Sequence, residues 1–166
     1  MNGPALLLLS GLPGTGKSTF ARLLAAHTGA CHVESDAVRL ALFPTRRYTR
    51  SESARLFDEV ERRCSVELDR GGTVIVDATN LTRADRRRFI ILAAARQARL
   101  VSIRLVAPAP LARARLSKPR QGASQATAAV YDLMASRPQS FRGPVVVVDS
   151  RYPIEASLAL AVALLG

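Results

Sequence analysis

The chain has 166 residues, 48% of them hydrophobic, which suffices for one sizeable core and is too little for two, so we expect a single domain over residues 1–166. No apolar run reaches the roughly 18 residues that a membrane span needs, and the chain does not open with the basic residues of a signal peptide. The composition therefore predicts a cytoplasmic protein that makes no membrane contact.

The charge is strongly positive, with a net charge of +11 and a pI near 11.2, which is typical of proteins that bind anions such as nucleic acid. Arginine dominates, since the 24 basic residues include only two lysines, Lys17 and Lys118. Five of the arginines fall on one predicted helix: Arg83, Arg86, Arg87, Arg88 and Arg96. Either a solvated helix face or a nucleic-acid patch accounts for them.

The first half of the chain alternates strands with helices. Ala5–Ser10 is apolar nearly throughout, as a strand buried on both faces would be, and Thr49 with Glu52 has the spacing of a capping box before a long helix. The predicted elements, in chain order, are a strand over Ala5–Ser10, a helix over 17–27 closed by Gly29, a strand over Cys31–Glu34, a helix over 36–42, a helix from about 50 to Gly71 and Gly72, and a strand over Thr73–Val76 that ends in Asp77.

The second half continues this alternation. Thr82 and Asp85 repeat the capping-box spacing, and Ser124 is the predicted cap of a later helix. The predicted elements are a helix over 82–97, a strand over Leu100–Val106, a helix over Leu111–Leu116, a helix over 124–136, a strand over Val145–Val148 and a last helix opened by Pro153 and Glu155. Strands and helices in this order predict an α/β fold with a parallel sheet.

The cysteine and histidine residues lack the spacing of a metal site. Cys31 and Cys64 are far apart and have no C-x-x-C partner, which predicts buried or half-buried free thiols. His27 and His32 also stand without neighbouring ligand residues, so we interpret them as surface or core histidines. We expect no structural metal.

The strongest motif is the segment from Gly11 to Ser18, which fits the P-loop pattern G-x-x-x-x-G-K-[ST]. This P-loop lies between the first strand and the first helix. Its glycines let successive backbone N–H groups point at a β-phosphate, and the helix adds its positive end. Lys17 is expected to reach the β- and γ-phosphates, and the Ser18 hydroxyl to bind Mg²⁺. The predicted ATP-binding residues are Gly11, Pro13, Gly14, Thr15, Gly16, Lys17, Ser18 and Thr19.

A second motif is the carboxylate that ends the third predicted strand, Asp77. In P-loop proteins an aspartate in this place helps to hold Mg²⁺. An aspartate at a strand end also serves as a turn residue or a helix cap. Because the P-loop is present as well, Asp77 is the predicted metal residue beside Ser18.

Asp36 and Arg39 are three residues apart on a predicted helix directly after the second strand, which places them on one helix face. Ligands of an open α/β sheet bind outside the carboxyl ends of its strands, so this helix start faces the same crevice as the phosphates. Asp36 can there accept a proton from an attacking hydroxyl, and Arg39 can hold an anionic group of the acceptor. An ordinary N-cap followed by a surface arginine fits the spacing equally well.

Four basic residues crowd the segment after the fourth strand: Arg113, Arg115, Lys118 and Arg120. We predict a short lid over about 112–123, in which residues 117–123 lack a helical pattern. Such a lid would close over ATP and bring cations to the transferring phosphate. One of the four would act as an arginine finger, and a solvated basic helix is the alternative for each of them.

These motifs resemble those of the small P-loop kinases grouped with the polynucleotide 5′-hydroxyl kinases, over nearly the whole chain. The matching segments are the P-loop over 11–19, S-D-x-x-R at Ser35, Asp36 and Arg39, and D-A-T-N over 77–80. The resemblance implies a P-loop kinase fold, in which a five-stranded parallel sheet has the order 2-3-1-4-5 and helices on both faces. It also implies Asp36 as general base, Arg39 as the clamp on the phosphate next to the acceptor hydroxyl, and Asn80 as an acceptor residue.

The resemblance further implies a lid arginine at Arg120, or alternatively at Arg115 or Arg113. We accordingly predict an ATP- and Mg²⁺-dependent kinase that phosphorylates the 5′-hydroxyl end of a single-stranded nucleic acid. A kinase of a sugar, an antibiotic or a nucleoside-like molecule is the alternative acceptor class. From a different class, a nucleic-acid-stimulated ATPase or nucleotide switch would turn over ATP with water as the acceptor.

Overall fold

Five parallel strands form the central sheet of the protein. A computed structural model describes residues 3–119, 122–137 and 140–165. The strands are β1 (Ala5–Ser10), β2 (Cys31–Glu34), β3 (Thr73–Asp77), β4 (Arg99–Val106) and β5 (Val146–Asp149). Their order in the sheet is β2-β3-β1-β4-β5, which confirms the predicted strand order and the α/β class.

Seven helices connect and cover these strands in the described part of the chain. They are α1 (Lys17–Thr28), α2 (Ser35–Leu42), α3 (Arg50–Asp69), α4 (Arg83–Ala95), α5 (Ala109–Leu116), α6 (Ala128–Ala135) and α7 (Glu155–Leu165). Among the residues placed, no helix combines the length and the apolar character needed to cross a membrane.

The central strand β1 is buried along its whole length and contributes side chains to both hydrophobic cores. Because successive side chains of a strand point to opposite faces, its residues enter two different cores. Leu7 and Leu9 pack with Phe20 on the face covered by α1 and α7, whereas Leu6 and Leu8 pack on the face covered by α3 and α4. The end of β1 is thereby held from both sides at the residue before the P-loop begins.

Two helix starts differ from the prediction. The sixth helix begins at Ala128 with Thr127 as its cap, instead of at Ser124, whose hydroxyl accepts only a local hydrogen bond within a turn. The fifth helix begins at Ala109, two residues before the predicted start, because Pro110 occupies the first turn, where a missing N–H costs nothing.

The two predicted capping pairs behave differently. Thr82 and Asp85 form the complete reciprocal capping box at the start of α4. At the start of α3, Thr49 accepts from the Glu52 backbone as expected, but the Glu52 carboxylate accepts from the Tyr48 and Arg47 backbones instead. Glu52 therefore holds the loop that precedes α3.

The arginines of α4 do not form one solvated face. Three of the five are held by internal partners: Arg86 by the carbonyls of Asn80 and Leu81, Arg88 by Glu61, and Arg96 by Asp69. Arg86 also lies 4.1 Å from the Phe141 ring, which Arg104 contacts at 4.3 Å on β4. The interpretation of this helix as a basic patch is therefore wrong for its buried and paired arginines.

Candidate active site

The P-loop is a tight backbone turn whose glycines are required by geometry. Gly11, Gly14 and Gly16 have φ values of 146°, 78° and 91°, in the region that residues with a side chain rarely adopt. A Cβ on Gly11 would lie 2.4 Å from the Leu105 carbonyl oxygen, and one on Gly14 would lie 2.6 Å from the Ala112 carbonyl oxygen. The loop thus packs directly against the end of β4 and against α5.

The polar side chains of the P-loop turn toward its own backbone. Thr15 Oγ1 and Lys17 Nζ both donate to the Leu12 carbonyl, at 2.8 and 3.0 Å. Burial lowers the pKa of the Lys17 ammonium, and the carboxylates of Asp77 and Asp36 act in the opposite direction. A buried ammonium whose hydrogen bond goes to a neutral carbonyl fits the place of a phosphate oxygen, which would be a stronger acceptor.

The other predicted residues of the loop follow in sequence. Pro13 is buried, Ser18 is half-buried at the first turn of α1, and Thr19 is exposed. The Ser18 backbone carbonyl accepts a hydrogen bond from the Arg22 side chain at 3.3 Å. The segment from Gly11 to Thr19 therefore offers N–H groups, an ammonium and a hydroxyl around one turn, which is the donor set that a triphosphate with Mg²⁺ requires.

Asp77 lies at the carboxyl end of β3 and is 3% exposed. Its Oδ2 accepts a hydrogen bond from His32 Nε2 at 3.0 Å. The register of β2 on β3 puts Glu34 opposite Asp77, and burial, followed by the charge of Asp77, raises the Glu34 pKa. The ligand atoms of His32, Glu34 and Asp77 all lie within 4.8 Å of one another. Because His32 Nε2 is occupied by its hydrogen bond to Asp77, the two carboxylates are the groups suited to a divalent cation.

His32 is a site residue that sequence reasoning missed. The chain offers no ligand beside it that would mark it, because its partner Asp77 is 45 residues away. Only the pairing of β2 with β3 brings the two side chains to the same sheet face. His32, interpreted from the sequence as a surface or core histidine, is half-buried, and nothing in the sequence indicates its contact with Asp77.

Asn80 lies in the connection from β3 to α4 and is 1% exposed. Its Nδ2 donates to the Leu9 carbonyl at 2.7 Å, and its backbone has a φ of 43°. The neighbouring Thr79 carbonyl accepts from the Gly11 N–H at 2.9 Å. These two bonds fasten the connection to the last residues of β1. The other end of the amide, Asn80 Oδ1, is buried and has no hydrogen-bond partner among the described residues, so the predicted contact with an acceptor stays a prediction.

The predicted acceptor residues lie in α2 on the other side of the crevice. Asp36 is half-buried in the first turn, close enough to Lys17 to influence its pKa. Arg39 is 8% exposed, and its Nη2 donates to Ser53 Oγ at 3.4 Å. Its Nη1 lies 3.8 Å from Glu52 Oε2, beyond hydrogen-bond distance, and has no hydrogen-bond partner among the described residues.

The lid arginines separate into different environments. Arg115 donates to the Gly14 carbonyl at 3.3 Å and to Ser150 Oγ at 2.7 Å, which places its guanidinium beside the P-loop. Ser150 follows β5 and carries no motif that could have identified it from the sequence. Arg113 instead pairs with Asp132 on the surface. Arg120, the predicted finger, lies outside the described residues.

The match to the AAA domain family extends over residues 6–140, which is most of the chain. The chain belongs to the AAA domain family. An uncharacterized protein of Mycobacterium tuberculosis (strain ATCC 25618 / H37Rv) is 32% identical to this AAA domain in an alignment of 147 residues, which covers 80% of the chain and 29% of that protein. The chain thus spans less than a third of the length of the curated relatives it matches.

Solved structures, two kinases among them, share the fold of this AAA domain. A gluconokinase from Sinorhizobium meliloti 1021 has a TM-score of 0.72 at 18% identity, covering 99% of the chain and 93% of the gluconokinase. The Mycobacterium tuberculosis APS kinase CysC, in complex with AMPPNP and APS, has a TM-score of 0.70 at 18% identity and covers 99% of each chain. A chain of the Pnkp1/Rnl/Hen1 complex has a TM-score of 0.63 at 26% identity, covering 74% of this chain and 42% of that one.

Proposed function

We propose that this AAA domain transfers the γ-phosphoryl group of ATP to a hydroxyl group, and that the hydroxyl is the 5′ end of a polynucleotide. The kinases that share the fold support the transfer. The observation that supports an anionic acceptor is Arg39, a buried cation whose Nη1 lacks a hydrogen-bond partner within the described part of the chain. A phosphodiester next to the acceptor hydroxyl would supply the missing hydrogen-bond acceptor, since the Glu52 carboxylate stays 3.8 Å away from Nη1.

On the donor side, the N–H groups of the P-loop and the Lys17 ammonium bind the β- and γ-phosphates. The Ser18 hydroxyl and the Asp77 carboxylate are the residues that would hold Mg²⁺, which neutralises charge on the phosphate oxygens when it is bound. Arg115 lies beside Gly14 and Gly16, where it adds a further positive charge to this end of the loop. Catalysis of this kind consists mainly of positioning and electrostatic stabilisation.

On the acceptor side, Asp36 is the base that the geometry supports. It lies in the first turn of α2, within electrostatic range of Lys17, and is half-buried. The acceptor oxygen forms a bond to the γ-phosphorus while the bond from that phosphorus to the β,γ-bridging oxygen breaks. The acceptor proton goes to the Asp36 carboxylate, and ADP leaves with the bridging oxygen.

A small-molecule acceptor is the second candidate, and one observation favours it. The gluconokinase and the APS kinase each align with 99% of this chain, whereas the matched chain of the Pnkp1/Rnl/Hen1 complex aligns with 74%. An anionic small molecule would satisfy Arg39 as a phosphodiester does. The two acceptor classes therefore differ in the rest of the molecule that carries the anion, which is a nucleotide strand in one class and a small molecule in the other. An assay has to distinguish these two.

Transfer of labelled γ-phosphate to a short single-stranded oligonucleotide with a 5′-hydroxyl tests the proposal. We expect label on this substrate and none on the same oligonucleotide carrying a 5′-phosphate. Asp36→Asn should abolish most of the transfer while leaving binding of an ATP analogue nearly unchanged. Arg39→Gln should raise the oligonucleotide KM, and Arg62→Ala, which alters an exposed arginine paired with Glu59, serves as the matched control.

Two results would contradict the proposal. Undiminished turnover by Asp36→Asn would remove this carboxylate as the base. Clear ATP binding without transfer to any oligonucleotide, together with transfer to gluconate or another small alcohol, would establish the second candidate instead.

A further inference from the structure

The aromatic residue Tyr48 stands exposed beside the acceptor arginine. Its side chain is 55% exposed, although a tyrosine ring has a large apolar area whose burial would stabilise the protein. One face of the ring lies against the Arg39 guanidinium, with 5.0 Å from Cζ to the ring centroid. The exposed fraction leaves room for a second planar group to stack on the ring.

The backbone fixes this ring in an unfavourable conformation. Tyr48 has a φ of 55°, which is rare for a bulky residue and costs of order 1 kcal/mol or more. The Glu52 carboxylate stabilises it by accepting from the Tyr48 N–H at 2.7 Å and from the Arg47 N–H at 3.0 Å. Residues with a strained backbone that neighbouring groups stabilise are concentrated at active sites and ligand-binding sites.

The loop that carries Tyr48 also contacts the far side of the crevice. The Tyr48 hydroxyl donates to Gln125 Oε1 at 3.4 Å, and Arg46 Nη1 donates to the Ala123 carbonyl at 2.9 Å. Residues 43–49 therefore bridge α2 and the segment that follows α5. An acceptor held by Arg39 lies next to this bridge.

We propose that Tyr48 is the stacking platform for a nucleobase of the acceptor, with the phosphate of the same terminal nucleotide on Arg39. This inference rests on the proposed kinase function and deepens it. Every nucleobase presents a flat π face, so an aromatic ring binds a terminal nucleotide without a sequence requirement. The exposed arginines Arg47 and Arg50 flank Tyr48, where the next phosphates of a single strand would pass.

An oligonucleotide with a 5′-hydroxyl and 2-aminopurine as its terminal base tests the stacking directly, because stacking quenches 2-aminopurine fluorescence. The titration is done with Mg²⁺ and a non-hydrolysable ATP analogue. We expect quenching with the unmodified protein and with Tyr48→Phe, which keeps the ring. Tyr48→Leu should lose the quenching and bind about 5- to 150-fold more weakly, the range measured for single base–aromatic stacks.

Two further arms complete the design. An oligonucleotide whose terminal nucleotide is abasic should bind the unmodified protein as weakly as the normal strand binds Tyr48→Leu. Ile91→Ala, which truncates an equally exposed apolar side chain on α4, is the matched control and should change nothing. A free 2-aminopurine nucleoside 3′-phosphate that binds as tightly as the oligonucleotide would support the stacking and identify a nucleoside as the acceptor.

The outcomes separate this inference from the proposed function. Phosphate transfer to the oligonucleotide that is equally strong with the abasic end and with Tyr48→Leu would overturn the stacking and leave the 5′-kinase intact. Quenching that depends on Tyr48, without any phosphate transfer, would support the nucleobase site and overturn the 5′-kinase.

Discussion

His32 Nε2 donates a hydrogen bond to Asp77 Oδ2 at 3.0 Å, from the edge strand β2 to its neighbour β3. This bond fixes one oxygen of a buried carboxylate whose other oxygen is then available to a cation or its waters. Outer partners of metal ligands orient those ligands, and their loss typically costs about 10- to 100-fold in metal affinity or activity. His32 is thereby a positioning residue for the predicted Mg²⁺ site.

We expect His32→Leu to raise, by about 10-fold, the Mg²⁺ concentration that gives half-maximal ATP-analogue binding. His32→Gln, which can offer an N–H donor in the same place, should recover most of the affinity. The exposed His27 on α1 supplies the control, since His27→Leu should leave the Mg²⁺ dependence unchanged. Equal Mg²⁺ dependence of His32→Leu and the unmodified protein would show that the bond has no such role.

Gly14 and Gly29 have similar φ values of 78° and 70° but different surroundings. A Cβ on Gly14 would lie 2.6 Å from a backbone oxygen, whereas one on Gly29 would have no heavy atom within 4 Å. Gly29→Ala should cost only the backbone strain, about 1–2 kcal/mol of unfolding free energy. Gly14→Ala should cost about 2–5 kcal/mol, because a clash in a packed region adds to the strain.

Urea unfolding measures both costs, and titration with a fluorescent ATP analogue gives the effect on binding. We expect Gly29→Ala to bind the analogue normally and Gly14→Ala to bind it much more weakly, since the loop must move away from α5. Similar losses of binding in the two variants would indicate that the close approach to Ala112 does not shape the loop.

Asn80 provides a test that distinguishes an internal anchor from an acceptor contact. Asn80→Ala removes the donor to the Leu9 carbonyl and leaves a non-glycine residue at positive φ. The buried carbonyl and the strain together should cost about 2–4 kcal/mol of unfolding free energy. Asn80→Gly loses the same bond without the strain and should be the milder change.

Unfolding in urea is again the measurement, with the acceptor KM determined on whichever variant remains folded. A variant of unchanged stability whose acceptor KM alone rises would favour the original prediction of an acceptor contact over the anchor.

The two thiols should differ in reactivity. Burial raises the pKa of the Cys64 thiol to about 12, and burial also raises the pKa of the half-buried Cys31. Because only the thiolate reacts, alkylation by iodoacetamide at about pH 8 should modify Cys31 slowly and Cys64 only after unfolding. Mass spectrometry of samples quenched over time, with a urea-unfolded control, would reveal the opposite case of rapid Cys64 labelling in the native protein.

Local features of the fold were predictable because their signals lie within a few residues. The apolar run Ala5–Ser10, the P-loop that follows it and the capping box of Thr82 with Asp85 all lie where the sequence predicted them. The strand order followed from the resemblance of these motifs to a known family, and the sheet confirms it. Such features depend on residues close together in the sequence, or on a motif that occurs in a single structural setting, here the turn between a strand and a helix.

Features that depend on distant residues were missed. His32 meets Asp77 only through strand register, and Arg115 meets Ser150 across 35 residues. Arg86 is buried because it also binds the Ser140 carbonyl, 54 residues away, and lies over the neighbouring Phe141 ring, and neither partner is marked in the sequence. Ser124 and Thr127 are both capable caps; the helix begins after Thr127, and its residue Tyr131 packs against Ala112 and Leu116 of α5, which lie far away in the sequence.

The two sides of the crevice should differ in how easily they unfold locally, because β1 lies at the centre of the sheet and β2 lies at its edge. The amides of β1 are bonded and buried at the centre of the sheet, so their hydrogen exchange should require nearly complete unfolding. The edge strand β2 has four residues and leads into α2, so the acceptor side can open on its own. For the proposed kinase, a bulky acceptor would then enter and leave by fluctuations of the edge strand while the phosphate-binding loop keeps its shape.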